Sequence, residues 1–249
     1  MSSPGEVPTN DPIDLPIDLR VLLVDERILF ASTLTYGLRN RGLRVEYVDP
    51  GSLSQSSLWG PAPIVGVVAI RTADDPAFAP SICARLSSQD ALVLALADAD
   101  VSPVILARCV EEGAAGIVRT TAKTATLAEA IRTLAEGASV LSYADRLSLE
   151  RTLADHRSDL RRRRRPFTRL TAREADVLGE LVKGHHAEWI ADEFDVSLST
   201  IRSQIRSVLV KLDCHSQLEA VAMAHEARWG GPYDIINLDD DAMALSGAA

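Results

Sequence analysis

The sequence predicts two domains of different class: an α/β domain built on a five-stranded parallel sheet, then an all-α domain of four helices containing a helix-turn-helix. Three observations predict it. Short apolar runs alternate with helical patterns between residues 20 and 136. Strand signals stop after Gly137. From Leu170 to Ala227 only helical periods and tight turns remain. A chain of 249 residues, 47% apolar and 24% charged, is long enough and apolar enough to bury two cores.

The strand-like runs are Arg20–Val24, Arg44–Val48, Ile64–Ile70, Ala91–Leu96 and Gly116–Val118. Val21-Leu-Leu-Val24 and the run from Ile64 to Ile70 are continuously apolar, as expected of strands buried on both faces of a parallel sheet. Helical patterns cover Ile28–Asn40, Pro80–Ser87, Ser102–Glu112 and Thr126–Glu136, with a short helix expected after Ser52. The α/β domain is assigned to residues 19–137. Residues 1–18, with Pro4, Pro8, Pro12 and Pro16 among polar and acidic neighbours, read as a disordered leader without the basic-then-apolar pattern of a secretory signal. Residues 138–166 read as a helical linker. Its end, Arg161–Arg165, is expected to be flexible, because like charges repel and Pro166 stops a helix, and to add non-specific attraction for phosphate.

The helix-turn-helix domain is assigned to residues 167–228. Thr171-Ala-Arg-Glu174 is a capping box opening a helix over Ala172–Lys183, and Gly184 supplies its left-handed stop. A second helix, Ala187–Phe194, buries Ile190 and Ala191. Ser197 then caps a third helix, Leu198–Leu212. There Ile201, Ile205, Val208 and Leu212 form a buried stripe, and Ser199, Arg202, Ser203, Arg206 and Val210 lie opposite. Two arginines one turn apart, with small residues between, suit guanine O6 and N7 in a major groove. The capped N-terminus suits a backbone phosphate.

Residues 229–249 read as an acidic flexible tail, with four acids and no base after Trp229. The net charge of −9 therefore conceals a mildly basic segment, 14 basic against 12 acidic residues over 151–229, between acidic ones. Cys83, Cys109 and Cys214 match no metal spacing and fit reduced thiols in a cytoplasm. No apolar run reaches the ~20 residues of a membrane span. Neither cofactor nor metal is expected.

The stretch from Leu170 to His225 resembles the LuxR/FixJ-type helix-turn-helix of bacterial transcription factors. The resemblance rests on Leu170-Thr-x-Arg-Glu174, Val177-Leu178, Gly184, Ile190-Ala191, Val196-Ser197, Ser199-Thr-Ile201 and Lys211-Leu212 before a last helix over Ser216–His225. It implies that Arg202, Ser203 and Arg206 face bases, that Thr200 and Lys211 face phosphate, and that Gln204 contacts backbone where the family often has His. It also implies that Leu218, Val221 and Ala222 face a second protomer. Packing within one protomer is an equal alternative for Leu218 and Val221, and Trp189 is expected either at the core's edge or against the first domain.

The order of elements over 19–137 resembles a response-regulator receiver, a flavodoxin-like fold. Val21-Leu-Leu-Val-Asp-Glu26, Leu92-Val-Leu94, Gly113-Ala-Ala-Gly116 and Ala128-Glu-Ala-Ile131 carry the likeness. The resemblance implies a phosphoryl pocket, and aligning by strands shows it degenerate. The phosphoacceptor position is Ala69, the hydroxyl position Ala95, the switch-aromatic position Ile117 and the lysine position Thr120. Asp25 and Glu26 remain as an acidic pair without partners, poor ligands for Mg²⁺ and expected to be exposed or capping. The crevice is expected to be apolar, lined by Ala69, Ala95 and Ile117.

These readings lead to a sequence-specific regulator that binds double-stranded DNA as a homodimer. Its control falls to a small-molecule ligand or protein partner at the receiver-like domain, or to protein concentration, rather than to aspartyl phosphorylation. The alternative is a docking module with weak DNA binding. A quorum-sensing domain ranks lower, since its acyl pocket would be expected to be lined by aromatics and the chain has eleven in all. An enzyme ranks last: no phosphate-binding glycine loop follows Val24, and no nucleophile elbow is present.

Overall fold

A computed structural model of the chain describes residues 19–55, 58–59, 63–72 and 75–231. The expected leader and the tail beyond Gly231 lie outside these residues. The chain divides into two compact units between Leu153 and Ala154.

The first unit holds five strands, β1 (Arg20–Val24), β2 (Arg44–Val48), β3 (Ile64–Ile70), β4 (Leu92–Ala97) and β5 (Ala114–Arg119), all paired in parallel in the order β2-β1-β3-β4-β5. Four helices, α1 (Ile28–Arg39), α2 (Phe78–Ser87), α3 (Pro103–Glu111) and α4 (Thr124–Ala135), cover it. Side chains alternate across a strand, so each face builds its own core. Leu22, Val24, Val68 and Ile70 pack with Ile82, Leu86, Leu106 and Val110 of α2 and α3. Val21, Leu23, Val65 and Val67 pack with Ala31 and Leu38 of α1 and Ile131 and Leu134 of α4. At Gly66 a Cβ would stand 2.7 Å from Leu86 Cδ1, so glycine there lets α2 approach β3. The strand order reverses between β1 and β3, which puts a crevice at the carboxyl ends of those strands. The expected short helix is a 3₁₀ turn, Pro50–Ser54, capped by Asp49.

α5 (Tyr143–Arg164) follows, then a 3₁₀ turn over Arg165–Arg169. This corrects the expected flexible basic end. The helix continues through the arginines because their charge is locally matched: Asp159 receives both Arg162 and Arg163. Arg164 donates from Nε to Ala227 O at 3.0 Å and from its terminal nitrogen to Arg228 O at 2.7 Å. Pro166 falls in the first positions of the 3₁₀ turn, where its missing N–H leaves no bond unmade.

The second unit is completed by α6 (Ala172–Val182), α7 (Ala187–Glu193), α8 (Leu198–Leu212) and α9 (Gln217–Glu226). Val177, Leu181, Ile190, Ile201 and Ile205 form one core cluster, and Phe167, Leu178, Val208, Leu212 and Ala224 another. The assigned tail begins too early, because Trp229 is buried and its ring stacks on fully buried Phe167 at 5.2 Å. Burial of the Trp229 ring against Phe167, with the Trp229 backbone N–H bonded to Ala224 O at 2.9 Å, holds residues 227–229 on the core.

Candidate nucleic-acid interface

α8 is built as the sequence requires. The Ser197 hydroxyl accepts from Thr200 N–H at 3.1 Å and shares hydrogen bonds with the Ser199 and Thr200 hydroxyls at 2.7 and 2.8 Å. Asp213 closes the helix in the left-handed conformation, at φ 58°. Ile201, Ile205, Val208 and Leu212 are buried, which leaves Ser199, Thr200, Arg202, Ser203, Arg206 and Val210 exposed, with Gln204 half-buried. Arg202 and Arg206 therefore stand one turn apart on a solvent-facing surface held in place by the core beneath it.

α7 lends this surface a residue that the sequence reading did not single out. Glu188 Oε1 lies 3.4 Å from a terminal nitrogen of Arg202, both side chains being more than half exposed. The residues are fourteen apart, and no local spacing announces the pair. Trp189 stacks on His185, ring centroids 3.7 Å apart, and His185 in turn meets Glu180 at 2.8 Å.

Two sites assigned by resemblance have partners within the protomer. Lys211 was expected on phosphate, yet its Nζ lies 2.5 Å from Glu174 Oε2. Glu174 is buried, and its carboxylate also accepts from Thr171 N–H at 2.7 Å and from the Thr171 hydroxyl at 2.9 Å, completing the capping box. Burial pushes the Glu174 carboxyl up, but Lys211 and the two Thr171 donors outweigh it and hold it below the ordinary glutamate range. A buried carboxylate needs its cation, and Lys211 supplies it. Val221, for which a dimer contact and packing within one protomer were equal alternatives, packs against the protomer's own cluster. Leu218 is 79% exposed, and Ala222 is exposed beside it on α9.

The crevice at the strand ends of the first unit is not the apolar site expected. Ala95 is fully buried and Ala69 nearly so, while Ile117 packs on the core. The surface above them is charged and internally paired. Asp25 is buried, not exposed. Its Oδ1 accepts from Arg27 N–H at 2.8 Å and Arg27 Nε at 3.2 Å, and its Oδ2 from a terminal nitrogen at 3.1 Å. The same guanidinium lies over the Phe30 ring at 4.3 Å. Arg71, just past β3, reaches Glu26 at 3.0 Å. Thr120 donates to Asp98 Oδ1 at 2.8 Å, and Arg119 to Asp98 O at 2.8 Å. Asp25 and Arg27 are two residues apart and legible as a local turn. The Arg71–Glu26 and Thr120–Asp98 contacts join different strands and had no signal in the sequence.

Comparison with known proteins follows this division. Residues 168–224 match the model of the bacterial regulatory proteins of the LuxR family. A nitrate/nitrite response regulator protein homolog of Haemophilus influenzae is 32% identical over 143 residues, 57% of this chain and 64% of that protein. The nitrate/nitrite response regulator NarP of Escherichia coli is 32% identical over 145 residues, 58% of this chain and 64% of its own. The match thus spans less than two thirds of these relatives' length. Full-length FixJ from B. japonicum overlays with a TM-score of 0.37 at 19% identity, covering 84% of this chain and 97% of that one, too loosely to equate residues. Residues 168–224 are thus similar to the LuxR-family helix-turn-helix, and the first unit has a receiver-like five-stranded parallel sheet.

Proposed function

We propose that the chain is a sequence-specific DNA-binding transcriptional regulator of the cytoplasm. The observation that carries this reading is the exposed face of α8: Arg202 and Arg206 one turn apart, Ser203 between them, and Ser199 and Thr200 at a capped N-terminus. Arginine forks read guanine edges, the small side chains allow close approach, and the hydroxyls with the free N–H groups hold a phosphate. Gln204 takes a backbone contact at the rim. The LuxR-family match over the same residues supports the reading. Leu218 and Ala222 supply the apolar contact for a homodimer.

Selection from random duplex DNA tests this, comparing the full-length chain with Arg202→Ala/Arg206→Ala. The expected outcome is an inverted repeat that the variant fails to enrich, its half-sites spaced by a whole number of helical turns. Equal enrichment by both proteins would defeat the reading. No enrichment by either would favour the docking module.

Control is proposed to be independent of aspartyl phosphorylation, and to act through a ligand or partner at the first unit or through protein concentration. Ala69 offers no acceptor, and Arg27 and Arg71 already neutralise the two carboxylates that would hold Mg²⁺. NMR titration with beryllofluoride and Mg²⁺ is expected to leave the resonances at the carboxyl ends of β1 and β3 unmoved. Saturable shifts there would overturn this part alone.

A further inference from the structure

The arginine block is held by the second unit, and the way it is held leaves some members used and others free. Arg162 and Arg163 share Asp159. Arg164 caps the carboxyl end of α9 through Ala227 O and Arg228 O. Arg173, further on, lies over the Phe194 ring at 3.9 Å. Arg161, Arg165 and Arg169 are exposed, and among the described residues they make no ion pair. They recur every fourth residue across the end of α5 and the 3₁₀ turn.

The backbone that carries them is anchored from both sides. Arg164 ties it to α9, and Phe167 ties it to the core by stacking on Trp229 and packing with Val208 and Leu212 of α8. The 3₁₀ turn therefore packs on the buried side of the last turns of α8, off the face that carries Arg202 and Arg206. A helix lying in a major groove is bordered by the phosphates of both strands, and cations beside such a helix meet backbone rather than bases. A guanidinium matches a phosphate with two parallel hydrogen bonds, and an anchored backbone lowers the ordering cost of that contact.

We infer that Arg161, Arg165 and Arg169 form a second DNA contact, a phosphate clamp that grips the duplex backbone outside the sequence read by α8. It rests on the DNA-reading function proposed above and adds affinity that does not depend on sequence.

The test is fluorescence anisotropy with the full-length chain, on the selected duplex and on a scrambled one, across a series of potassium chloride concentrations. Arg161→Ala/Arg165→Ala/Arg169→Ala is compared with the corresponding triple lysine variant and with Arg202→Ala/Arg206→Ala. A clamp predicts that the alanine variant's plot of log affinity against log salt is shallower by about 2 to 3, at ~0.9 per phosphate neutralised. Both duplexes weaken alike, and the lysine variant keeps most of the slope. An unchanged slope, a loss confined to the selected duplex, or a lysine variant as impaired as the alanine one would each overturn the clamp. Failure of the underlying reading shows elsewhere, as Arg202→Ala/Arg206→Ala preferring the selected duplex as strongly as the parent.

Discussion

The strand-end crevice of the first unit and the open face of α8 both carry arginines, and the two regions use them in opposite ways. In the crevice, Arg27 closes on buried Asp25 and Arg71 on half-exposed Glu26, so both acidic residues are matched by the protein's own cations. On α8, Arg206 is exposed, and among the described residues Arg202 has only a long, solvent-screened contact with Glu188. A site whose charges satisfy one another gains little from an ion or a phosphoryl group. A face whose cations are left to water has most of its interaction energy still to make, and a polyanion can supply it.

The largest expected effect tests the closed side of that contrast. Arg27→Ala leaves the Asp25 carboxylate, whose side chain is 1% exposed, without its guanidinium. Breaking a fully buried pair costs ~3–5 kcal/mol, and the partial exposure of Arg27 reduces this to about 2–3 kcal/mol. Urea unfolding of the variant is expected to show that loss for the first unit. A variant as stable as the parent would mean that Asp25 never depended on Arg27.

A middle effect concerns the scaffold beneath the open face. Glu174→Gln keeps the shape of the cap but removes the charge facing Lys211, at a cost of about 1–2 kcal/mol to the second unit. The pH dependence has a definite sign. The folded Glu174 carboxyl sits below its ordinary value near ~4.3, so its contribution is complete above that value and is lost as pH falls through the lowered one. Unfolding followed over an acid pH series is expected to show this falling limb in the parent and a flatter one in Glu174→Gln. Identical limbs would assign the acid sensitivity elsewhere.

The smallest effect sharpens the open side. Glu188→Gln releases Arg202 from an exposed pair worth roughly 0.2–1 kcal/mol and removes a negative charge beside the duplex. Binding to the selected duplex is expected to tighten up to a few-fold, with stability unchanged. Weaker binding would mean that Glu188 orients Arg202 for its base.

Much of this was legible in one dimension. The apolar runs of β1, β2 and β3 and the start of α1 fall where the pattern put them, because alternation of period two and period 3.6 follows from the backbone itself. The capping box at Thr171 and Glu174, the cap at Ser197 and the buried stripe of α8 are likewise local, set by residues three or four apart. What was not legible was long-range. Lys211 meets Glu174, thirty-seven residues away, and Val221 packs on a core cluster shared among three other helices, contacts that no local spacing announces. The arginine run read as a repelling, flexible end, because its partners Ala227 and Arg228 lie more than sixty residues further on.

The sequence by itself determined the two fold classes, the boundaries of most elements and which face of α8 turns outward, since periodicity and capping act between neighbours. Only the tertiary structure decided which charges are spent and which are left. Whether an arginine meets water or a carboxylate depends on what the fold brings within about 3 Å of it, and for Arg71, Arg164 and Lys211 those partners come from distant segments whose approach no local pattern encodes.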